Sequence, residues 1–170
     1  MELFKKMKLI AAVDKHWAIG NGNKLLTRIP GDMKFFRKMT LHKVVVVGRK
    51  TMDTFPNGLP LDQRTNIILS TNQDYKVKGA VVVHSMEELD EELKKYATDD
   101  IFVIGGESIY KQLADRCDTA YITKIDYGFH ADTWMESLDE SPHWELAEIS
   151  DEQTYANLVY HFLTYRNSNM

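Results

Sequence analysis

The sequence holds one cysteine, Cys117, and four prolines in 170 residues. A lone thiol excludes an intrachain disulfide framework and a multi-cysteine zinc site, and it suits a reducing compartment; Cys117 is expected to be a buried packing residue. No run of Lys and Arg interleaves with aromatics and the net charge is only −4, which argues against a nucleic-acid surface. No segment approaches a membrane span, and residues 1–6 lack the apolar core of a signal peptide, so they read as a short N-terminal extension of a soluble, cytoplasmic chain. His16, His42, His84, His130, His143 and His161 are scattered, with no H-x-x-x-H or Cys/His spacing, and no metal site is expected. No serine sits in a G-x-S-x-G elbow, and Cys117 has no general base near it in sequence, so nucleophilic catalysis is not supported. The chemistry must come from a cofactor.

What is present is hydrocarbon in short runs. The 44% hydrophobic content suffices for one core, and residues 1–170 are expected to form a single domain. Residues 8–13 (KLIAAV), 43–47 (KVVVV), 65–69 (TNIIL), 80–83 (AVVV) and 101–104 (IFVI) leave almost no polar face, as strands covered on both sides do. Helices are expected over 32–39, just after Gly48, after Ser85 and over 107–114. Ser85 and Glu88 form a capping box that turns Met86, Leu89, Leu93 and Tyr96 inward. The outer face of that helix, with Asp90 and Lys94, and Glu91 and Lys95, spaced four apart, reads as solvated. Residues 119–125, 144–149 and 158–166 alternate apolar with polar and read as antiparallel strands. The implied fold is α/β: a mixed, mostly parallel eight-stranded sheet flanked by helices, with an antiparallel C-terminal end.

Ligands of such sheets bind beyond the carboxyl ends of the strands. Three strand exits carry phosphate-binding chemistry: Gly48-Arg49-Lys50-Thr51, Ser70-Thr71, and Gly105-Gly106 followed by Glu107 and Ser108. Singly they are weak, because surface cations are common and a Gly-Gly pair is also an ordinary tight turn; the G-x-G-x-x-G fingerprint is absent. Together they point to one multiply charged ligand. The connection from Asp14 to Gly31 mixes Gly20, Asn21, Gly22 and Asn23 with Trp17, Ile19, Leu25, Leu26 and Ile29, the composition of a lid. Pro30 and Gly31 then break the chain before a helix whose first turn holds Asp32, walled by Ile29, Met33 and Phe36. A carboxylate in hydrocarbon seeks donors, and a planar heterocycle with adjacent ring N–H and amino groups offers two in parallel. The plainer reading is that Asp32 caps its helix.

The order of motifs resembles the dihydrofolate reductase family over nearly the whole chain. The residues that carry it are 9–13 (LIAAV), Ile19-Gly20-Asn21, 29–40 (IPGDMKFFRKMT), 44–52 (VVVVGRKTM), 64–70 (RTNIILS), 103–110 (VIGGESIY), 122–126 (ITKID) and 131–134 (ADTW). The resemblance implies NADPH-dependent reduction of 7,8-dihydrofolate to 5,6,7,8-tetrahydrofolate, with hydride going to pterin C6 and a proton, from water admitted by the lid, to N5. It makes Asp32 the active-site acid on the pterin and gives Thr123 a second hydrogen bond supporting it. Phe36 would cover the rings, while Ile10, Ala11, Met33, Phe55, Leu61 and Ile104 would line the folate pocket and Arg64 would hold the glutamate α-carboxylate. Ala12, Ile19 and Gly20 match the nicotinamide end, and Gly105, Gly106 and Tyr110 the cradle, with Gly48, Glu107, Ser108 and Ile109 beside it. Lys50 and Thr51 fall at the pyrophosphate. Arg49, Ser70 and Thr71 fall around the 2′-phosphate, which selects NADPH over NADH.

The implied partners are dihydrofolate and antifolate inhibitors, with the chain a monomer that binds neither nucleic acid nor membrane. The pattern departs from the family at Leu26-Thr27, where Pro-Trp is usual, and at Ser108, where some relatives carry a basic residue. Ala131 replaces a frequent glycine, and Pro56-Asn57-Gly58 resembles a small insertion. Two rival readings are the same-fold reductase of riboflavin synthesis and a binding protein that keeps the pockets without turnover.

Overall fold

The computed structural model describes residues 6–169, so the expected extension over residues 1–6 lies, apart from Lys6, outside the described residues. The chain runs β1 (Met7–Val13), β2 (Ala18–Asn21), β3 (Lys24–Leu25), α1 (Pro30–Thr40), β4 (Val44–Gly48), α2 (Arg49–Met52), β5 (Thr65–Leu69), β6 (Val81–Val83), α3 (Met86–Leu93), β7 (Ile101–Gly105), α4 (Glu107–Leu113), β8 (Cys117–Ile125), β9 (Thr133–Trp134), β10 (Trp144–Ile149), β11 (Gln153–Tyr155) and β12 (Leu158–Asn167). The main sheet has the order β10-β12-β8-β1-β7-β4-β5-β6, with β11 added to β12. Strands β1, β4, β5, β6, β7 and β8 pair in parallel, and β12 runs antiparallel to β8, β10 and β11. No helix among the described residues is long and apolar enough to cross a membrane.

Alternation along the strands divides the core into two layers, because successive side chains leave a strand on opposite faces. Leu9, Val44, Val46, Ile67, Ile101 and Val103 pack with Leu89, Leu93, Ile109 and Leu113 of α3 and α4. On the other face Ile10, Val45, Val47, Ile68, Phe102 and Ile104 meet Phe35, Phe36 and Met39 of α1, with Met52, Phe55 and Leu61. This second face, at its carboxyl end, is where the strand exits gather. Cys117 is fully buried and burial pushes its thiol pKa up, as a packing residue's would be.

Four local features differ from the sequence expectation. Helix α1 begins at Pro30 and includes Gly31, since proline suits the first helical position and instead forces the preceding Ile29 into extended backbone (φ −106°, ψ 117°). Strand β8 is parallel to β1 and antiparallel only to β12, because α4 lies between β7 and β8 and carries the chain back to the same end of the sheet. Helix α3 is capped as expected, Ser85 Oγ accepting from the Glu88 amide at 3.1 Å. It stops at Leu93, however, so its lysines pair at three-residue spacing, Lys94 with Glu91 and Lys95 with Glu92, while Asp90 meets Arg116. The stretch read as a lid contains β2 and β3, which join β9 in a second sheet of order β3-β2-β9. Gly22 and Asn23 link β2 to β3 with φ of 60° and 62°, the two positive values that a two-residue hairpin turn of matching twist requires.

A buried amide fixes the loop between α2 and β5. Asn66, inside β5 and 2% exposed, accepts from the Leu61 amide at 2.9 Å and donates to the carbonyls of Leu61 at 2.9 Å and Arg64 at 3.1 Å. Leucine at this position leaves those three backbone groups without partners. Asn66→Leu is expected to lower the free energy of unfolding by about 2–4 kcal/mol, read as a drop in the urea midpoint at unchanged slope.

Candidate active site

A cleft of about 1000 Å³ opens along the carboxyl ends of β1, β4, β5 and β7. Asp32 lies in its wall as the third residue of α1, where the unpaired amides of the first turn favour an anion. Thr123 reaches it from β8, opposite Ala12 of β1, and its hydroxyl donates to Asp32 Oδ1 at 2.6 Å. Thr123 is 1% exposed and does not itself line the cleft, so it acts on Asp32 from behind. Burial raises the Asp32 pKa, and the Thr123 hydrogen bond opposes that rise without cancelling it. Ile29 is buried beside it and Phe36 half-buried, whereas Met33 is 44% exposed and forms the rim rather than the wall.

Every other residue singled out in the sequence lines the same cleft: Ile10, Ala11, Phe55, Leu61, Arg64 and Ile104 with Met33 and Phe36; Ala12, Ile19 and Gly20; Gly48, Arg49, Lys50 and Thr51; Ser70 and Thr71; and Gly105, Gly106, Glu107, Ser108, Ile109 and Tyr110. Tyr110 is a structural part of that wall. Its hydroxyl donates to the Ile10 carbonyl at 2.7 Å, and burial, reinforced by the Asp32 charge, drives its pKa upward and keeps it neutral. Ile109 is likewise buried, its side chain packed where a Cβ on Gly48 would come within 3.0 Å. A Cβ on Gly106 would stand 2.7 Å from Thr51 Oγ1, so the chain entering α4 approaches α2 too closely there for a side chain. Gly105 has φ 123°, the positive value its residue type permits.

The two ends of the cleft differ in charge chemistry. At one end Arg64 donates to the Asp62 carbonyl at 2.9 Å and to Thr40 Oγ1 at 3.1 Å, and its pKa is lowered by burial and by the neighbouring Arg37 guanidinium. Two like charges side by side favour a carboxylate ligand. At the other end Arg49 lies 5.8 Å from the Tyr75 ring centroid and 3.8 Å from an Asp53 oxygen, near Ser70, Thr71 and His84. The His84 ring nitrogen Nδ1 is 2.9 Å from the Ser70 carbonyl, which can only accept, so Nδ1–H is the donor.

Sequence reasoning missed Arg37, His84, Thr54, Gln112 and Thr133, all on the cleft wall. His84 had a usable signal, since it follows the end of β6 directly, as Ser70 follows β5. The lid is tied down at its hairpin: the Gly22 amide donates to Asp132 Oδ2 at 2.9 Å, the Asp132 amide to the Gly20 carbonyl at 3.0 Å, and the Trp134 amide to Glu107 Oε2 at 2.9 Å. Leu26 and Thr27 line the cleft where the family usually has Pro-Trp. Pro56–Gly58, the apparent insertion, forms a 3-10 turn at the rim, with Asn57 and Gly58 at φ 58° and 64°. Among the described residues no group of three His, Cys, Asp or Glu is placed to hold a metal.

The raised Asp32 pKa makes a signed prediction about stability. Folding disfavours the charged carboxylate, so its contribution falls as pH rises from the unfolded value near 3.8 through the higher folded one. Asparagine keeps the shape and the Thr123 partner without the charge. Asp32→Asn is therefore expected to unfold at higher urea than wild type at pH 7, with the difference vanishing below about pH 3.8.

Comparison with known proteins agrees with this geometry. The family model for dihydrofolate reductase matches residues 6–167. Dihydrofolate reductase of Bacillus subtilis is 32% identical over 167 residues, covering 96% of this chain and 95% of the relative, and that of Enterococcus faecium is 40% identical over 132 residues, covering 75% and 76%. A solved structure of dihydrofolate reductase from Enterococcus faecalis, complexed with NADP(H) and RAB-propyl, superimposes with a TM-score of 0.84 at 32% identity and covers 97% of this chain and 98% of that one. With a walled carboxylate, three converging strand exits and a match along almost its full length, this chain belongs to the dihydrofolate reductase family.

Proposed function

We propose that the cleft reduces 7,8-dihydrofolate to 5,6,7,8-tetrahydrofolate with NADPH, and that the residues placed around it act as follows. The observation that carries the reading is Asp32, ionisable, set among hydrocarbon and held from behind by Thr123 at 2.6 Å. Its free oxygen faces the cleft and accepts from a ring N–H and an amino group of the pterin. Thr123 fixes the carboxylate in that orientation, and Phe36, Ile10 and Ile104 exclude water from the ring faces. At the far end Arg64, with Arg37 beside it, holds the carboxylate of the substrate's glutamate tail.

The cofactor side fits its ligand by donor chemistry. Arg49, Lys50, Thr51, Ser70 and Thr71 offer cations and hydroxyls to phosphate groups, and Gly48 and Gly106 let the cradle close up against Ile109 and Thr51, where a Cβ would clash. Ala12, Ile19 and Gly20 line the end nearest Asp32, where the nicotinamide belongs. NADPH bound there supplies the hydride that goes to C6. The matching proton goes to N5, on the substrate face reached by water past Leu25, Leu26 and Thr27 when the lid moves. Asp32 raises the proton affinity of the bound ring by placing negative charge beside it in a medium of low polarity.

A cofactor of this kind is supported by the Enterococcus faecalis relative, whose structure holds NADP(H). The reading also takes antifolate inhibitors as ligands of the Asp32 end; the same relative's structure holds a second small molecule, RAB-propyl. The reading includes one domain over residues 1–170, favoured by the single continuous main sheet, and a monomer working in the cytoplasm.

In an NADPH-oxidation assay at pH 7, Asp32→Asn is expected to lower kcat/KM for dihydrofolate by about 100-fold or more, and Thr123→Val by about tenfold. NADPH affinity should hold in both. Wild-type turnover by Asp32→Asn overturns the reading; NADPH oxidation with a phosphoribosylated pyrimidine instead of dihydrofolate selects the riboflavin-pathway rival.

A further inference from the structure

A second cavity of about 580 Å³ opens between the lid hairpin and α2. It is lined by Lys24 and Arg28 from the lid side and by Arg49 and Lys50 from α2, with Asp53 as its one carboxylate. Asp53 is already engaged, 3.8 Å from Arg49. Among the described residues Lys24, Arg28 and Lys50 have no carboxylate within ion-pair distance. Four cations facing one space with a single anion among them form a site that lacks its counter-charge. They repel one another across the gap between lid and α2 until an anion enters.

The side chains of these cations are exposed, but the backbone that carries the two on the lid is fixed. Lys24 follows a two-residue turn whose Gly22 and Asn23 both hold positive φ, and the Gly22 amide is bonded to Asp132. Lys24 is then paired with Asn21 in the hairpin, so its backbone is fixed on both sides. Arg28 precedes Ile29, which is buried and held in extended backbone by Pro30. The cavity is continuous with the catalytic cleft, since Asn23, Lys24, Leu25, Arg28, Arg49, Lys50 and Thr54 line both. Ser70, Thr71 and His84 line only the cleft, so of the groups placed around the 2′-phosphate only Arg49 reaches the second cavity.

We propose that Lys24 and Arg28 are cofactor-binding residues of the lid that, with Lys50, bind the diphosphate of the dinucleotide, so that the cofactor's own charge draws the lid onto α2. This rests on the reading of the cleft as a dinucleotide site. Because NADPH and NADH share the diphosphate and differ at the 2′-phosphate, the assignment predicts equal effects on both. It also predicts that the lid contribution is electrostatic and is screened by salt.

The test measures NADPH and NADH dissociation constants against KCl concentration for wild type, Lys24→Ala, Arg28→Ala, the double variant, and the charge-keeping Lys24→Arg and Arg28→Lys. Each alanine variant is expected to weaken both dinucleotides by about three- to tenfold at low salt, to flatten the salt dependence, and to weaken competition by inorganic pyrophosphate in parallel. The charge-keeping variants should stay within about twofold of wild type, and a folate-site inhibitor bound without cofactor should be unaffected. Unchanged dinucleotide affinity and salt slope in the double variant overturn the proposal. So does an effect confined to NADPH, which moves the cations to the 2′-phosphate, or equal loss of the folate-site inhibitor, which marks general lid disorder. Dihydrofolate-dependent NADPH oxidation by wild type, measured alongside, separates failure of this inference from failure of the functional reading.

Discussion

The structure turns on one hydrogen bond, from the Thr123 hydroxyl to the Asp32 carboxylate. It joins α1 to β8 at the point where the cleft is lined mainly by hydrocarbon, and it uses up one acceptor oxygen so that the other is left for a ligand. Burial makes that second oxygen costly to keep ionised and unpaired. A ligand with donors in the right plane relieves the cost, and one without them does not, so selection of the flat ring follows from desolvation as much as from shape. The buried Tyr110, bonded to the Ile10 carbonyl, holds the neighbouring strand end against the same spot.

The sheet explains why such different chemistries meet in one cleft. Parallel pairing sends the carboxyl ends of β1, β4, β5 and β7 to one edge, and the two-residue alternation assigns Ile10, Val47 and Ile104 to the face that α1 covers. Oily residues for the ring, glycines for the cradle, and cations and hydroxyls for phosphate are thereby placed side by side by backbone geometry alone. Buried polar ties such as Asn66, and the caging of the Asp14 carboxylate by the amides of His16, Ala18 and Phe129, hold the loops that this geometry leaves free.

How much of this was legible in the sequence depended on how local the cause was. Four consecutive valines admit only a strand covered on both faces, and 44–47 proved so. The Ser85 cap, the strand exits and the helix-opening Asp32 were likewise written in short motifs, and Asp32 and the strand-exit residues all line the cleft. The direction of β8 was not, because it depends on the connection through α4 and not on its own alternation. The small sheet β3-β2-β9 was hidden for a similar reason: two-residue strands show no period, and β2 is completed by Thr133 and Trp134, more than a hundred residues away. Asn66 looked like one polar residue inside an apolar run; its role exists only once the loop from Leu61 to Arg64 folds over it.

The central claim is that Asp32 is a half-buried carboxylate, set in the cleft wall, whose charge is answered by the ligand. Carbon-detected NMR titration of the Asp32 side chain, with and without a folate-site ligand, tests it most directly. The account predicts a carboxyl that titrates above its ordinary value in the free protein and whose pKa falls when a ligand with paired donors binds, because those donors favour the charged form. A carboxyl that titrates at its ordinary value and ignores the ligand would contradict it.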